Sequence, residues 1–106
     1  MPAKYSLRYL PAAEEDLLSI LEYIAKDSPR RAEAFIEKLD KRLRILETSP
    51  LAGRVPLHPF LKESGYRVLT IESYLAFYKV VRRTVQIHRV IHTARNINLL
   101  IDAFDQ

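Results

Sequence analysis

Apolar and polar positions change period three times along the 106-residue chain, and the changes outline its elements. Between Lys4 and Leu10, Tyr5, Leu7 and Tyr9 alternate with Lys4, Ser6 and Arg8. A period of two predicts a half-buried strand. Pro11 ends it and suits a first helical position, where the missing N–H costs nothing. From Ala12 to about Lys26 the period becomes helical, with Leu17, Ile20, Leu21 and Ile24 on one stripe. Ser28-Pro29 then reads as an N-cap and a restart. The following helix carries Ala32, Phe35, Ile36, Leu39, Leu43 and Leu46 on one side, with charged residues largely elsewhere. So short a break predicts an antiparallel helical hairpin.

Pro50 to Gly65 holds three prolines and both glycines of the chain, which predicts a long, partly ordered connection. Three runs rich in β-branched and aromatic residues follow: Tyr66–Ile71, Tyr74–Arg82 and Val85–Thr93. Two-residue breaks between them require antiparallel neighbours, because a parallel return needs a long crossover. In the middle run Leu75, Phe77, Lys79 and Val81 share one face, and Tyr74, Ala76, Tyr78 and Val80 the other. Both faces are substantially apolar, so one is expected on the helical hairpin and the other needs a cover or a partner. In the tail, Ile97, Leu100, Ile101 and Phe104 have helical spacing, which suggests a short C-terminal helix or tail that packs on that second face or completes a surface with another chain. The expectation is an α+β fold, with residues 1–106 forming one domain: an N-terminal strand, an antiparallel helical hairpin and a three-stranded antiparallel meander packed on the helices.

Charge sharpens this picture. Residues 1–65 are nearly balanced, with eleven basic and ten acidic side chains. The meander is not: Arg67, Lys79, Arg82, Arg83, Arg89 and Arg95 stand against Glu72 alone. A local excess of this kind suggests an anionic partner. The chain contains no cysteine, which excludes disulfides, thiolate metal sites and a cysteine nucleophile. With no long apolar run and no signal-like start, no membrane partner is expected and the cytoplasm is the default location. No phosphate loop, nucleotide-binding glycine pattern or metal-ligand spacing is present, so no cofactor and no metal are expected.

Candidate chemistry is sparse. Glu14, Glu15 and Asp16 form an acidic cluster, but acids at a helix start ordinarily serve the helix dipole. His58 reads as a loop histidine. Strict alternation puts His88 and His92 on one strand face about 13 Å apart, too far to chelate one ion. The same alternation puts Arg89 in phase with Val85, Ile87 and Ile91, where an unpaired guanidinium would be costly. Arg89 must therefore pair with an acid or reach a solvated groove, and an arginine tying the sheet to a helix is the simpler solution. Finally His92-Thr93-Ala94-Arg95-Asn96 closes the last strand, with Arg67 on the first strand of the meander. Arginines suit phosphate, and a histidine beside them suits proton transfer, so Arg67, His92 and Arg95 are the candidate catalytic trio of an RNA-cleaving site. An equally simple reading makes the sheet a partner-binding surface built on Arg67, Tyr74, Lys79, Arg89, His92 and Arg95.

Several stretches in order resemble the RelE/ParE superfamily of type II toxin–antitoxin toxins, and the ParE branch more closely. They are AAEEDLLSILEYIA, SPRRAEAFIEKLDKRLRILETSP, the Pro50–Gly53–Pro56 spacing, GYRVLTIESYLAFYKV and RVIHTARN, the last being the most specific. The resemblance implies a strand, helical hairpin and antiparallel meander. It also implies a cognate antitoxin, whose C-terminal segment wraps the toxin in a toxin–antitoxin hetero-oligomer. RelE-like relatives are ribosome-dependent mRNA endonucleases with a basic set on the sheet. Arg67 and Arg95 match two of its positions, while Leu69 and Leu75 stand where two others belong. ParE-like relatives lack that set and poison DNA gyrase through protein contacts. The resemblance therefore implies a ParE-like gyrase inhibitor. The alternatives are an mRNA endonuclease and a non-toxic module that only binds antitoxin.

Overall fold

A proline opens each α-helix among the described residues. In the computed structural model, which describes residues 4–94, strand β1 (Ser6–Tyr9) leads into α1 (Pro11–Asp27) and α2 (Pro29–Leu43), extended by a 3-10 turn at Arg44–Glu47. A short α3 (Pro59–Glu63) precedes β2 (Arg67–Ile71), β3 (Tyr74–Val81) and β4 (Thr84–His92). Pro11, Pro29 and Pro59 stand at the helix starts, where no N–H partner is needed. Ser28 serves both long helices. Its N–H closes α1 on the Ile24 carbonyl at 2.9 Å, and its hydroxyl accepts the Arg31 N–H of α2 at 3.2 Å. The hairpin thus turns with almost no loop.

The sheet order is β1-β4-β3-β2, with β1 parallel to β4 and the meander antiparallel throughout. Tight connections join the meander strands at Glu72-Ser73 and Arg82-Arg83. The first residue of each turn takes positive φ, 52° at Glu72 and 57° at Arg82, in place of the glycine such turns favour.

Each face of the sheet has its own core. On the helical face Phe35, Leu39, Leu43 and Leu46 pack on Leu69, Ile71, Ala76, Tyr78, Val85 and Ile87. On the far face Leu61 of α3 joins Tyr66, Val68, Phe77 and Ile91, flanked by Phe60 and Leu75. The middle strand alternates as its sequence predicts. The long, partly ordered connection supplies a cover for the far face, through α3. His58 is more than a loop histidine, since its Nδ1 accepts the Phe60 N–H at the start of α3. The expected tail helix lies outside the described residues.

Strict alternation fails in β4. Phe77 faces Arg89 but Tyr78 faces Ile87, so His88 is an extra residue in a β-bulge. Val85 and Ile87 join the helical-face core, but beyond the bulge it is Val90 that does so, and Ile91 turns to the far face. Two expectations are corrected. Arg89 is not in phase with Val85 and Ile87. His88 packs on Tyr66 of the far-face core and His92 on Tyr74 of the helical side, so the two histidines do not share a face.

The connection after α2 reaches α3 around the β2 edge, and the sheet holds it there. The Tyr78 hydroxyl accepts the Gly53 N–H at 2.8 Å and donates to the Pro50 carbonyl at 2.9 Å. Arg54 and Val68 exchange two backbone bonds of 2.9 Å. Gly53 is required by this approach: a Cβ there would sit 2.6 Å from the Tyr78 hydroxyl and 2.8 Å from the Val68 carbonyl. Tyr78 is fully buried, so its deletion to Tyr78→Phe leaves the Gly53 N–H without an acceptor. The expected loss is about 1–3 kcal/mol in urea unfolding. An unchanged midpoint would mean that the hydroxyl does not hold the loop.

Candidate partner-binding surfaces

The sequence nominates six residues, and the structure scatters the five it describes. Arg67 lies at the start of β2, opposite Tyr78. Its Nη1 donates to the Gly53 carbonyl at 2.8 Å and more loosely to the Leu51 carbonyl at 3.3 Å. Its guanidinium is thus engaged with the connecting loop. Tyr74 packs edge-on between Phe35 and His92, with both ring centroids at 5.1 Å. His92 is exposed, and its Nδ1 accepts the Ala94 N–H at 3.0 Å. Since His92 pairs with Tyr74 and Arg67 with Tyr78, the register separates them by four residues of β3, about 13 Å. They do not converge on one phosphate. Arg95 lies outside the described residues.

Lys79 belongs to the far face. Its ammonium sits 4.5 Å from the centre of the Tyr66 ring, a cation–π contact. Tyr66 in turn reaches His88 Nδ1 at 3.2 Å, while His88 Nε2 contacts Gln86 Oε1 at 3.3 Å. A neutral imidazole satisfies both bonds, accepting from the phenol and donating to the amide. Burial, and then the Lys79 charge, push the His88 pKa below its ordinary value. This cluster escaped sequence reasoning because it depends on the bulge.

Arg89 is clamped to α1. Its Nε and Nη2 bind both Asp16 carboxylate oxygens at 2.8 and 3.0 Å, and Asp16 also accepts the Val90 N–H at 2.9 Å. β1 pairs only as far as Ile87, so Asp16 satisfies a β4 amide where no strand lies alongside. These bonds raise the Arg89 pKa. Asp16 is therefore more than a helix-start acid. The chain's answer to a charge in an apolar strand is a bidentate ion pair between sheet and helix.

Concave surface lies around the hairpin instead. A cleft of about 550 Å³ opens between α1 and the end of β4, bounded by Asp16, Ser19, Ile20, Tyr23, Tyr74 and His92. Tyr23 also lines a second cleft, of about 560 Å³, with Ile24, Lys26, Asp27 and Arg31. Ile24 and Arg31 continue into a third, of about 290 Å³, with Phe35, Lys38 and Glu72. Shared residues make the three one track around the bend of the hairpin. Its Arg31–Asp27 and Lys38–Glu72 pairs, at 3.0 and 2.8 Å, are largely exposed. Such pairs are worth no more than about 1 kcal/mol and can be exchanged for a partner's carboxylates. Among the described residues no three metal-ligating side chains converge.

An N-terminal strand, a helical hairpin and an antiparallel meander define a RelE/ParE-type fold. The sequence model of the ParE toxin of the type II toxin–antitoxin system parDE matches residues 7–97, and the chain belongs to this family. Among solved structures it is similar to one from the chromosomal ParDE toxin–antitoxin system of P. aeruginosa. That match has a TM-score of 0.70 and 25% identity, covering 85% of this chain and 97% of that one. It is also similar to one from the toxin–antitoxin complex RelBE2 of Mycobacterium tuberculosis, with TM-score 0.58, 26% identity and coverage of 90% and 98%. A search of curated proteins gave no match.

Two expectations follow from the site. Asp16→Ala strands the half-buried Arg89 and the Val90 N–H, and should cost about 2–4 kcal/mol of unfolding free energy. Glu14→Ala, an exposed first-turn acid, should cost at most about 1 kcal/mol. Equal losses would refute the clamp. The lowered His88 pKa means that the unfolded chain takes up this proton first. The His88 contribution is then complete above about pH 6.5 and is lost as pH falls through the lower folded value. Urea midpoints at pH 7.5 and pH 5 should differ less for His88→Gln than for the wild type; an equal drop in both would rule His88 out as the source.

Proposed function

We propose that this ParE-family toxin inhibits DNA gyrase in the cytoplasm through protein contacts, and that a cognate antitoxin neutralises it by laying an acidic, amphipathic segment along the hairpin track. The observation that carries this reading is the track itself. It combines apolar walls at Ile20, Ile24 and Phe35 with cations at Lys26, Arg31 and Lys38, and the exposed partners of the last two, Asp27 and Glu72, are acids that a folding peptide's own carboxylates would replace. The solved relatives come from toxin–antitoxin pairs, which supports a partner of this kind for the present chain. Leu18 and Tyr23 are exposed on the same helix and offer further apolar contact.

The geometry also bears on the target. An mRNA endonuclease needs a proton-transfer group and cations around one scissile phosphate. Here Arg67 holds the loop, Arg89 holds α1, Lys79 lies on the far face, and His92 stands far from Arg67. Contact-based inhibition requires no such convergence. Toxin freed of antitoxin should block gyrase supercoiling at near-stoichiometric levels, leave ribosome-bound mRNA intact, and lose inhibition when antitoxin is restored. Unchanged supercoiling at large excess would refute the gyrase reading, and mRNA cleavage abolished by Arg95→Ala would replace it with the nuclease.

A further inference from the structure

Among the described residues, a cluster of exposed aliphatic side chains lies outside both the clefts and the core. In the connection between α2 and α3, Leu51 is 62% exposed, Val55 45% and Leu57 96%. A single exposed leucine is unremarkable, but three aliphatic side chains within seven residues call for an explanation. They do not belong to a slack loop. Gly53 is bonded to Tyr78, the Leu51 and Gly53 carbonyls to Arg67, and Arg54 to the Val68 backbone and the Thr70 hydroxyl. The chain fixes this loop to its sheet and still leaves Leu57 in water.

We propose that the Pro50–His58 loop is the target-engaging element of this toxin, inserting Leu57, with Leu51 and Val55 beside it, into an apolar pocket bordered by carboxylates on a folded protein. This rests on the reading that the chain acts on a protein target. A convex, pre-ordered loop carrying aliphatic anchors suits a partner's cavity, because little conformational entropy remains to be lost on binding. The charge around it selects the partner's chemistry. Between Glu47, which pairs with Lys4 and Arg44, and Glu63, the sequence contains Arg54 and Lys62 and no acidic residue, and Arg67 lies behind. An acidic rim around the receiving pocket complements this set. The hairpin track has the opposite shape: it is concave and receives a segment. The toxin therefore has separate surfaces for antitoxin and target. Phosphate-based binding would use the cations and gain nothing from the leucines.

Leu57→Asp, Leu57→Lys and Leu51→Asp, each purified as full chain from the antitoxin complex, test the assignment. Leu57 is almost wholly exposed, so thermal midpoints should stay within a few degrees of wild type. Antitoxin affinity should stay within about twofold. Growth arrest on induction and gyrase inhibition should both fall at least about tenfold for either Leu57 variant. Full toxicity in the Leu57 variants would overturn the proposal. So would parallel loss of antitoxin binding, which would give the loop to the antitoxin. Retained or increased toxicity in Leu57→Lys beside a failed Leu57→Asp would point to nucleic acid instead. If wild type arrests growth without touching gyrase, the gyrase reading fails, yet the growth comparison still decides the loop. A wild type that arrests nothing removes the target and the proposal with it.

Discussion

A sheet that is apolar on both faces needs two covers, and this chain has one helical hairpin. Most of the architecture follows from that constraint. The hairpin buries the face built on Tyr78, Val85 and Ile87, and the chain must then carry α3 around the β2 edge to bury Phe77 and Ile91. The passage is fixed where Gly53 lies against Tyr78, a contact so close that no side chain fits between them. Arg67 completes the fixing by binding two loop carbonyls. An arginine in a basic meander thus serves the loop. Its role is set by geometry, and the local charge excess does not reveal it.

The second constraint arises where β1 ends before β4 does. The bulge at His88 reverses the facing of β4, and Asp16 takes the place of a neighbouring strand at Val90 while binding Arg89. A bidentate, half-buried pair leaves few alternatives for how α1 sits on the sheet. The concave track around the hairpin begins at this clamp, since Asp16 also borders its first cleft. The contact that seats the helix therefore also shapes one wall of the surface proposed for the antitoxin.

Much of the fold was legible in the sequence because its signals are local. Pro11 and Ser28-Pro29 mark the starts of both hairpin helices, and two-residue breaks force an antiparallel meander. That Arg89 must pair with an acid or reach a solvated groove was legible too, since an unpaired charge in an apolar strand is costly. The acid's identity was not, because Asp16 lies 73 residues away and looked like an ordinary helix-start acid. The bulge was invisible: one inserted residue leaves no compositional mark, yet it reverses the facing of every later side chain. Arg67 was read from its charge alone, whereas its hydrogen bonds depend on where a distant loop passes. The Leu51–Leu57 surface was missed for a related reason. Exposed leucines look like core residues until the core is seen to close without them.

A pre-ordered Pro50–His58 loop must be as rigid as the sheet that holds it. Amide hydrogen exchange on the isolated chain measures this directly. The Gly53 N–H, bonded to the Tyr78 hydroxyl, and the Arg54 N–H, bonded to the Val68 carbonyl, should exchange only with global unfolding, as slowly as the Tyr78 amide in β3. Exchange at those two amides at rates typical of open loops, while the β3 amides stay protected, would contradict it.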